Sequence, residues 1–143
     1  MKSLGCVMAL LVAIGAALSM TPFAQAVEAG SWAVTLPRGP LLTTPGRDER
    51  TSPLRPPESH TVGDGRITRV SWRYTTQEPS DVRAWLCHPR RCVEMATRRG
   101  GTQALEGLSA RGPFVLCFRR ATSGKASHTG VRIEDLQLIV NYR

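Results

Sequence analysis

Within WLCHPRRCVEM, Cys87 and Cys92 enclose four residues, His88, Pro89, Arg90 and Arg91. Such a pair can serve as a metal clip, a thiol redox centre or a covalent staple. Zinc would draw on Cys87, His88, Cys92, Cys117, His60 and His128, but their spacing matches no zinc finger or ribbon. A thioredoxin-like centre needs two intervening residues and a helix N-terminus. A staple fits directly: Cys87 ends one strand, Cys92 begins the next, and 88–91 form the loop. Facing positions of a non-hydrogen-bonded antiparallel pair bring α-carbons within disulfide reach. Closing so small a loop removes about 2 kcal/mol of unfolded-chain freedom. The expected chemistry is a Cys87–Cys92 disulfide, with no metal and no cofactor.

That bond requires an oxidising compartment, and the start of the chain supplies one. Met1-Lys2-Ser3 is positively charged, Leu4 to Leu18 is almost wholly apolar, and Ala24-Gln25-Ala26 has small residues at the positions of a signal-peptidase site. This is the order of a secretory signal, too short in its apolar part for a comfortable membrane span. Cys6 precedes the apolar run, the wrong side for a lipoprotein. Cleavage is expected after Ala26, leaving a single domain of 117 residues, Val27 to Arg143, in the periplasm. No stable membrane insertion is expected.

Without Lys2 the chain holds 18 basic and 11 acidic residues, a net charge of +7, and 17 of the bases are arginine. An exported protein rarely meets nucleic acid, so the charge points to acidic protein faces or anionic envelope surfaces, or simply to a solvated surface.

The elements that position these groups are strands. Gly30–Pro37 reads as a first strand, followed by a Pro/Gly-rich loop from Arg38 to Gly65. Ile67–Thr75 alternates, with Val70, Trp72 and Tyr74 on one face and Arg69, Ser71 and Arg73 on the other. Val82–Cys87, Cys92–Ala96, Pro113–Arg120 and Leu136–Arg143 are further strands. Between them lie turn signals at Glu78-Pro79-Ser80-Asp81, His88-Pro89, Arg99-Gly100-Gly101, Arg111-Gly112-Pro113 and Ser123-Gly124. No segment keeps a helical period. The fold expected is all-β, a small antiparallel sandwich with a barrel as the alternative. Trp32, Trp72 and Tyr74 are core candidates. Cys117 is left without an intrachain partner, either buried and inert between the sheets or exposed, and the buried state is preferred.

Gly30-x-Trp32, Val70-Ser71-Trp72-Arg73-Tyr74, Leu86-Cys87-x-x-x-x-Cys92-Val93-Glu94 and the closing Ile139-Val140-Asn141-Tyr142-Arg143 together resemble the flagellar protein FlhE family, in order over most of the mature chain. The 38–65 segment looks longer than the family's, and Cys117 lies outside its pattern. The resemblance implies a β-rich, non-enzymatic periplasmic accessory of the flagellum that supports swarming. Such a protein would limit proton leak through the export apparatus, or chaperone flagellar parts crossing the periplasm. Its partner would be an export, rod or basal-body protein.

The residues themselves agree with a binding role. Gly-Leu-Ser-Ala at 107–110 is not a nucleophile elbow, and no phosphate-cradling glycine loop stands between a strand and a helix. The candidate partner-binding residues are Arg69 and Arg73, outward on their strand, with Asn141 and Arg143 on the last one. That last strand is either a structural, central one, which is preferred, or an edge open to a partner. The alternative function is an inhibitor of an envelope enzyme such as a lysozyme, with loop 38–65 as the inserted element. Oligomeric state is left open.

Overall fold

The computed structural model describes residues 29–77, 81–122 and 130–143. The expected signal with Cys6 and its cleavage site, His128, most of the 78–81 turn and the Ser123-Gly124 turn lie outside them.

Eight strands form two four-stranded sheets: β1 (Gly30–Leu42), β2 (Asp48–Arg50), β3 (Ile67–Thr76), β4 (Val82–His88), β5 (Arg91–Glu94), β6 (Arg99–Thr102), β7 (Val115–Arg120) and β8 (Val131–Tyr142). One sheet has the order β1-β8-β3-β6 and the other β2-β7-β4-β5. Every pairing is antiparallel. The all-β sandwich is the fold; the two sheets do not close into a barrel.

Alternation puts the core where period two requires it. Val70, Trp72 and Tyr74 of β3 face Ala84 and Leu86 of β4 and Leu116 and Phe118 of β7 across the interior, all buried. Trp32 is also buried, and its indole N–H donates to the Ala110 carbonyl at 2.9 Å. The Trp72 indole donates to the Thr97 carbonyl at 2.8 Å. Tyr74 meets Phe118 edge-on, ring centroids 5.2 Å apart. Each large apolar side chain fully removed from water contributes about 1.5–3 kcal/mol.

β4 ends at His88, β5 spans Arg91–Glu94 and β7 begins at Val115, small shifts from the sequence reading. Three strands differ more, each for a physical reason. β1 runs past Pro37 to Leu42. It is an edge strand, where a proline's missing N–H can face away from the ladder, and its register slips between Arg38 and Leu41. The segment 38–65 is therefore not one loop. β2 adds to the second sheet, Leu54 exchanges backbone hydrogen bonds with Phe114 at 2.7 and 2.9 Å, and Leu42, Thr51 and Leu54 are buried.

β8 begins at Val131, five residues before the expected start at Leu136. The register with β3 slips between Glu134 and Gln137, and Asp135 takes a left-handed φ of 48°. A bulge inverts the alternation, so Leu136, Leu138, Val140 and Tyr142 face the core on one side of it, and Ile133 and Val131 on the other. Period two read across that inversion appears broken.

β6 occupies the stretch read as the turn Arg99-Gly100-Gly101. Glycine carries no strand signal, yet here it serves packing. A Cβ on Gly100 would stand 3.2 Å from the Trp72 indole, and one on Gly101 would stand 2.9 Å from the Arg69 guanidinium.

Candidate docking surface

Cys87 and Cys92 are directly opposite on β4 and β5 and joined by a disulfide, with α-carbons 4.0 Å apart. The Met95 N–H donates to the Ala84 carbonyl at 2.8 Å. That fixes Ala84/Met95 as a hydrogen-bonded pair and, by alternation, Cys87/Cys92 as a close, non-hydrogen-bonded one. His88 and Arg91 also pair, so the loop is two residues, Pro89 and Arg90, not the four expected.

His88 is a buried strut of this hairpin. The Arg90 N–H donates to Nδ1 at 3.2 Å, and Nε2 lies 3.1 Å from the Ser109 carbonyl. A neutral ring with its proton on Nε2 satisfies both contacts. Burial pushes the His88 pKa down, the Ser109 carbonyl opposes that shift, and Arg90 adds to it. Among the described residues, no three His, Cys, Asp or Glu side chains converge to hold a metal.

On the outer face of the second sheet, Arg83 and Arg119 are paired with carboxylates, while Arg50 is exposed beside them. Arg119 donates to both carboxylate oxygens of Asp48 at 2.6 and 2.9 Å, and Arg83 to Glu94 at 2.9 Å. Both guanidinium carbons lie over the Trp85 ring, 5.3 and 5.2 Å from its centroid. The Arg119 hydrogen bonds hold the Asp48 carboxyl below its usual range. Cys117 is buried here, on the outward side of β7 between Arg50 and Trp85, and not between the sheets. Burial pushes its thiol pKa up.

The outer face of the first sheet is built differently. Register places side chains in rows across the strands. Ser31, Asn141 and Arg69 form one row, and Thr35, Gln137, Arg73 and Arg99 another. Between them lies a row of small or apolar groups, Ala33, Ile139, Ser71 and Gly101. Each outer row runs from a hydroxyl through an amide to guanidinium. Arg69, Arg73 and Arg99 are exposed, and none forms an ion pair with a described residue.

Arg73 and Arg99 face each other directly. Because the Tyr74 N–H donates to the Arg98 carbonyl at 2.9 Å, alternation makes Arg73/Arg99 a non-hydrogen-bonded pair, the closest side-chain approach a sheet offers. Like charges so placed cost stability. Beside them a cleft of about 520 Å³ is lined by Thr35, Arg73, Thr75, Arg98, Arg99 and Asp135.

Of the four candidate binding residues, the fold thus brings Arg69, Arg73 and Asn141 onto one face. Arg143 stands apart at the end of β8. Its backbone pairs with Arg66 at 2.7 and 3.0 Å, and its side chain comes to 4.0 Å from Glu106. β8 lies between β1 and β3, so it offers no edge and the edge reading is overturned. Arg99, Gln137 and Thr35 were not singled out in the sequence. Gln137 was legible, since it alternates with Asn141 in LQLIVNY; Arg99 was not, being hidden in a glycine turn signal.

Comparison with known proteins agrees with the fold. Residues 39–143 match the family model described as flagellar protein FlhE. Flagellar protein FlhE of Escherichia coli (strain K12) is 31% identical over 121 residues, covering 83% of this chain and 89% of that protein. The protein of the same name from Yersinia enterocolitica is 28% identical, covering 83% and 85%. A solved structure titled "Crystal Structure of FLHE" superposes with a TM-score of 0.70 at 28% identity, covering 80% of this chain and 97% of that one. The chain belongs to the flagellar protein FlhE family and is a flagellum-associated protein.

Proposed function

We propose that this protein is a periplasmic, non-enzymatic accessory of the flagellum. It docks on an export, rod or basal-body component through the outer face of the first sheet, and there limits proton leak through the export apparatus or chaperones parts in transit, so supporting swarming. The observation that carries the docking role is the set of exposed arginines, Arg69, Arg73 and Arg99, without acidic partners among the described residues, on a face where the two facing arginines cost stability. The other outer face pairs Arg83 and Arg119 with Glu94 and Asp48. Cations held against that cost are well placed for a carboxylate-rich partner. The signal read over residues 1–26 supplies the route to the periplasm.

The inhibitor alternative has a less independent inserted element than a free loop, because Leu42, Thr51 and Leu54 anchor parts of the 38–65 segment to the body of the protein.

The test is complementation of a gene deletion in the native host with wild type and with an Arg69→Ala/Arg73→Ala/Arg99→Ala variant, after showing that the variant folds. Swarming, filament placement and cytoplasmic pH on mild external acidification are recorded. Wild type restores all three, and the variant does not. Full restoration by the variant removes this face from the function. No defect in the deletion strain removes the flagellar role altogether.

A further inference from the structure

β6 is an edge strand of the first sheet, paired to β3 alone. The register derived above turns the backbone groups of Gly100 and Thr102 toward β3 and those of Arg99 and Gly101 away from it. The Arg99 carbonyl is taken by the Thr97 hydroxyl at 2.7 Å. The Arg99 N–H and both backbone groups of Gly101 have no partner among the described residues. Nothing projects from Gly101 to cover the outer face there. The Arg69 guanidinium reaches across instead, 2.9 Å from where a Cβ would be. Two positive charges therefore stand along this edge two residues apart: Arg99 itself, and the Arg69 guanidinium over Gly101. Arg73 backs the first.

We propose that this edge captures an extended, acidic segment of a partner protein as a fifth strand of the sheet. The inference rests on the docking role argued above and adds its mode and chemistry. Side chains of an added strand alternate between faces. The segment must therefore carry carboxylates at every second position, one beside Arg99, with Arg73 behind it, and the next beside Gly101, under the reach of the Arg69 guanidinium. Main-chain hydrogen bonds to the Arg99 N–H and to both backbone groups of Gly101 supply affinity, and the charge spacing supplies register.

The probe is a short capped peptide with glutamate at alternate positions between valine and threonine. It is compared with an isomer whose glutamates are contiguous, and with two forms N-methylated on one or the other set of alternate amides. Binding to the intact chain is read by fluorescence anisotropy, and the Arg99 and Gly101 amides are followed by NMR. The alternating peptide is expected to bind about tenfold more tightly than its isomer, and an Arg69→Ala/Arg99→Ala variant to lose about the same factor. One methylated form should fail while the other binds, and the Arg99 and Gly101 amides should shift.

Equal affinity for all four peptides would overturn the inference and leave a diffuse basic surface. No binding, with Arg99→Ala self-associating, would also overturn it and make the arginines guards of an exposed edge. The arms separate this inference from the function it rests on. If the peptides fail to discriminate but the triple variant cannot swarm, the face docks in another way. If the alternating peptide is captured as expected but the variant swarms normally, the flagellar role of the face is what fails.

Discussion

Buried titratable groups make the sharpest predictions at the residue scale. His88 is held below the ordinary imidazole range, so the unfolded chain takes up a proton at this site before the folded one does. Its contribution is complete above about pH 6.5 and is lost as pH falls toward the lowered folded value. Denaturant midpoints should therefore drop between about pH 7.5 and 5.5 in the wild type, and this drop should shrink in His88→Gln. An equal slope in both proteins would assign it to other groups. Cys117 offers a second check. Its thiol is buried and its pKa raised, so the thiolate is scarce at neutral pH. A thiol reagent should label the native chain slowly and the unfolded chain at once. Rapid native labelling would mean that the cover provided beside Trp85 and Arg50 opens readily.

Single positions set the course of whole strands at the element scale. Asp135, with its φ of 48°, makes the bulge that lets both halves of β8 face the core. A β-branched side chain resists that conformation, so Asp135→Val should destabilise by about 1–2 kcal/mol and Asp135→Gly should be tolerated. Equal stability of the two variants in urea unfolding would remove the bulge from the account. Replacing Cys87 and Cys92 together with serine should cost about 2 kcal/mol by loop entropy, since the hairpin stays closed by its backbone pairs. Opposite in sign is Arg99→Thr. It relieves the repulsion with Arg73 and should raise stability by about 0.2–1 kcal/mol while weakening partner capture. A loss of stability instead would show that the arginine pair is not strained.

At the scale of the whole molecule, the two outer faces differ in how they spend their charge. One locks Arg83 and Arg119 to Glu94, Asp48 and the Trp85 ring, and the other presents Arg69, Arg73 and Arg99 outward with amides and hydroxyls in rows. Binding through the second face should weaken steeply with added salt, because exposed charges are screened within about 8–10 Å at physiological ionic strength. Salt-independent capture of a flagellar component would point to the apolar row of Ala33 and Ile139 instead. Adding three acidic residues to the Asp48/Glu94 face should leave partner binding unchanged, and a fall would show that this face, not the Arg69/Arg73/Arg99 face, docks.

The sequence by itself determined what local patterning can encode. The alternation of Val70, Trp72 and Tyr74 against Arg69, Ser71 and Arg73 gave β3 and its two faces, because the side-chain period of a strand is fixed by its pleat. The short loop between Cys87 and Cys92 gave the stapled hairpin, and the motifs ending in Asn141-Tyr142-Arg143 gave the family. Tertiary structure decided whatever depends on neighbours distant in the chain. β6 exists because Trp72 and Arg69 fill the space its glycines leave empty. β1 tolerates Pro37 because it lies at an edge, and β8 is central because β1 and β3 pair to either side of it. The row joining Thr35, Gln137, Arg73 and Arg99 draws on four strands scattered along the chain. Only the register of those strands, set by packing and by the bulges along them, brings them together.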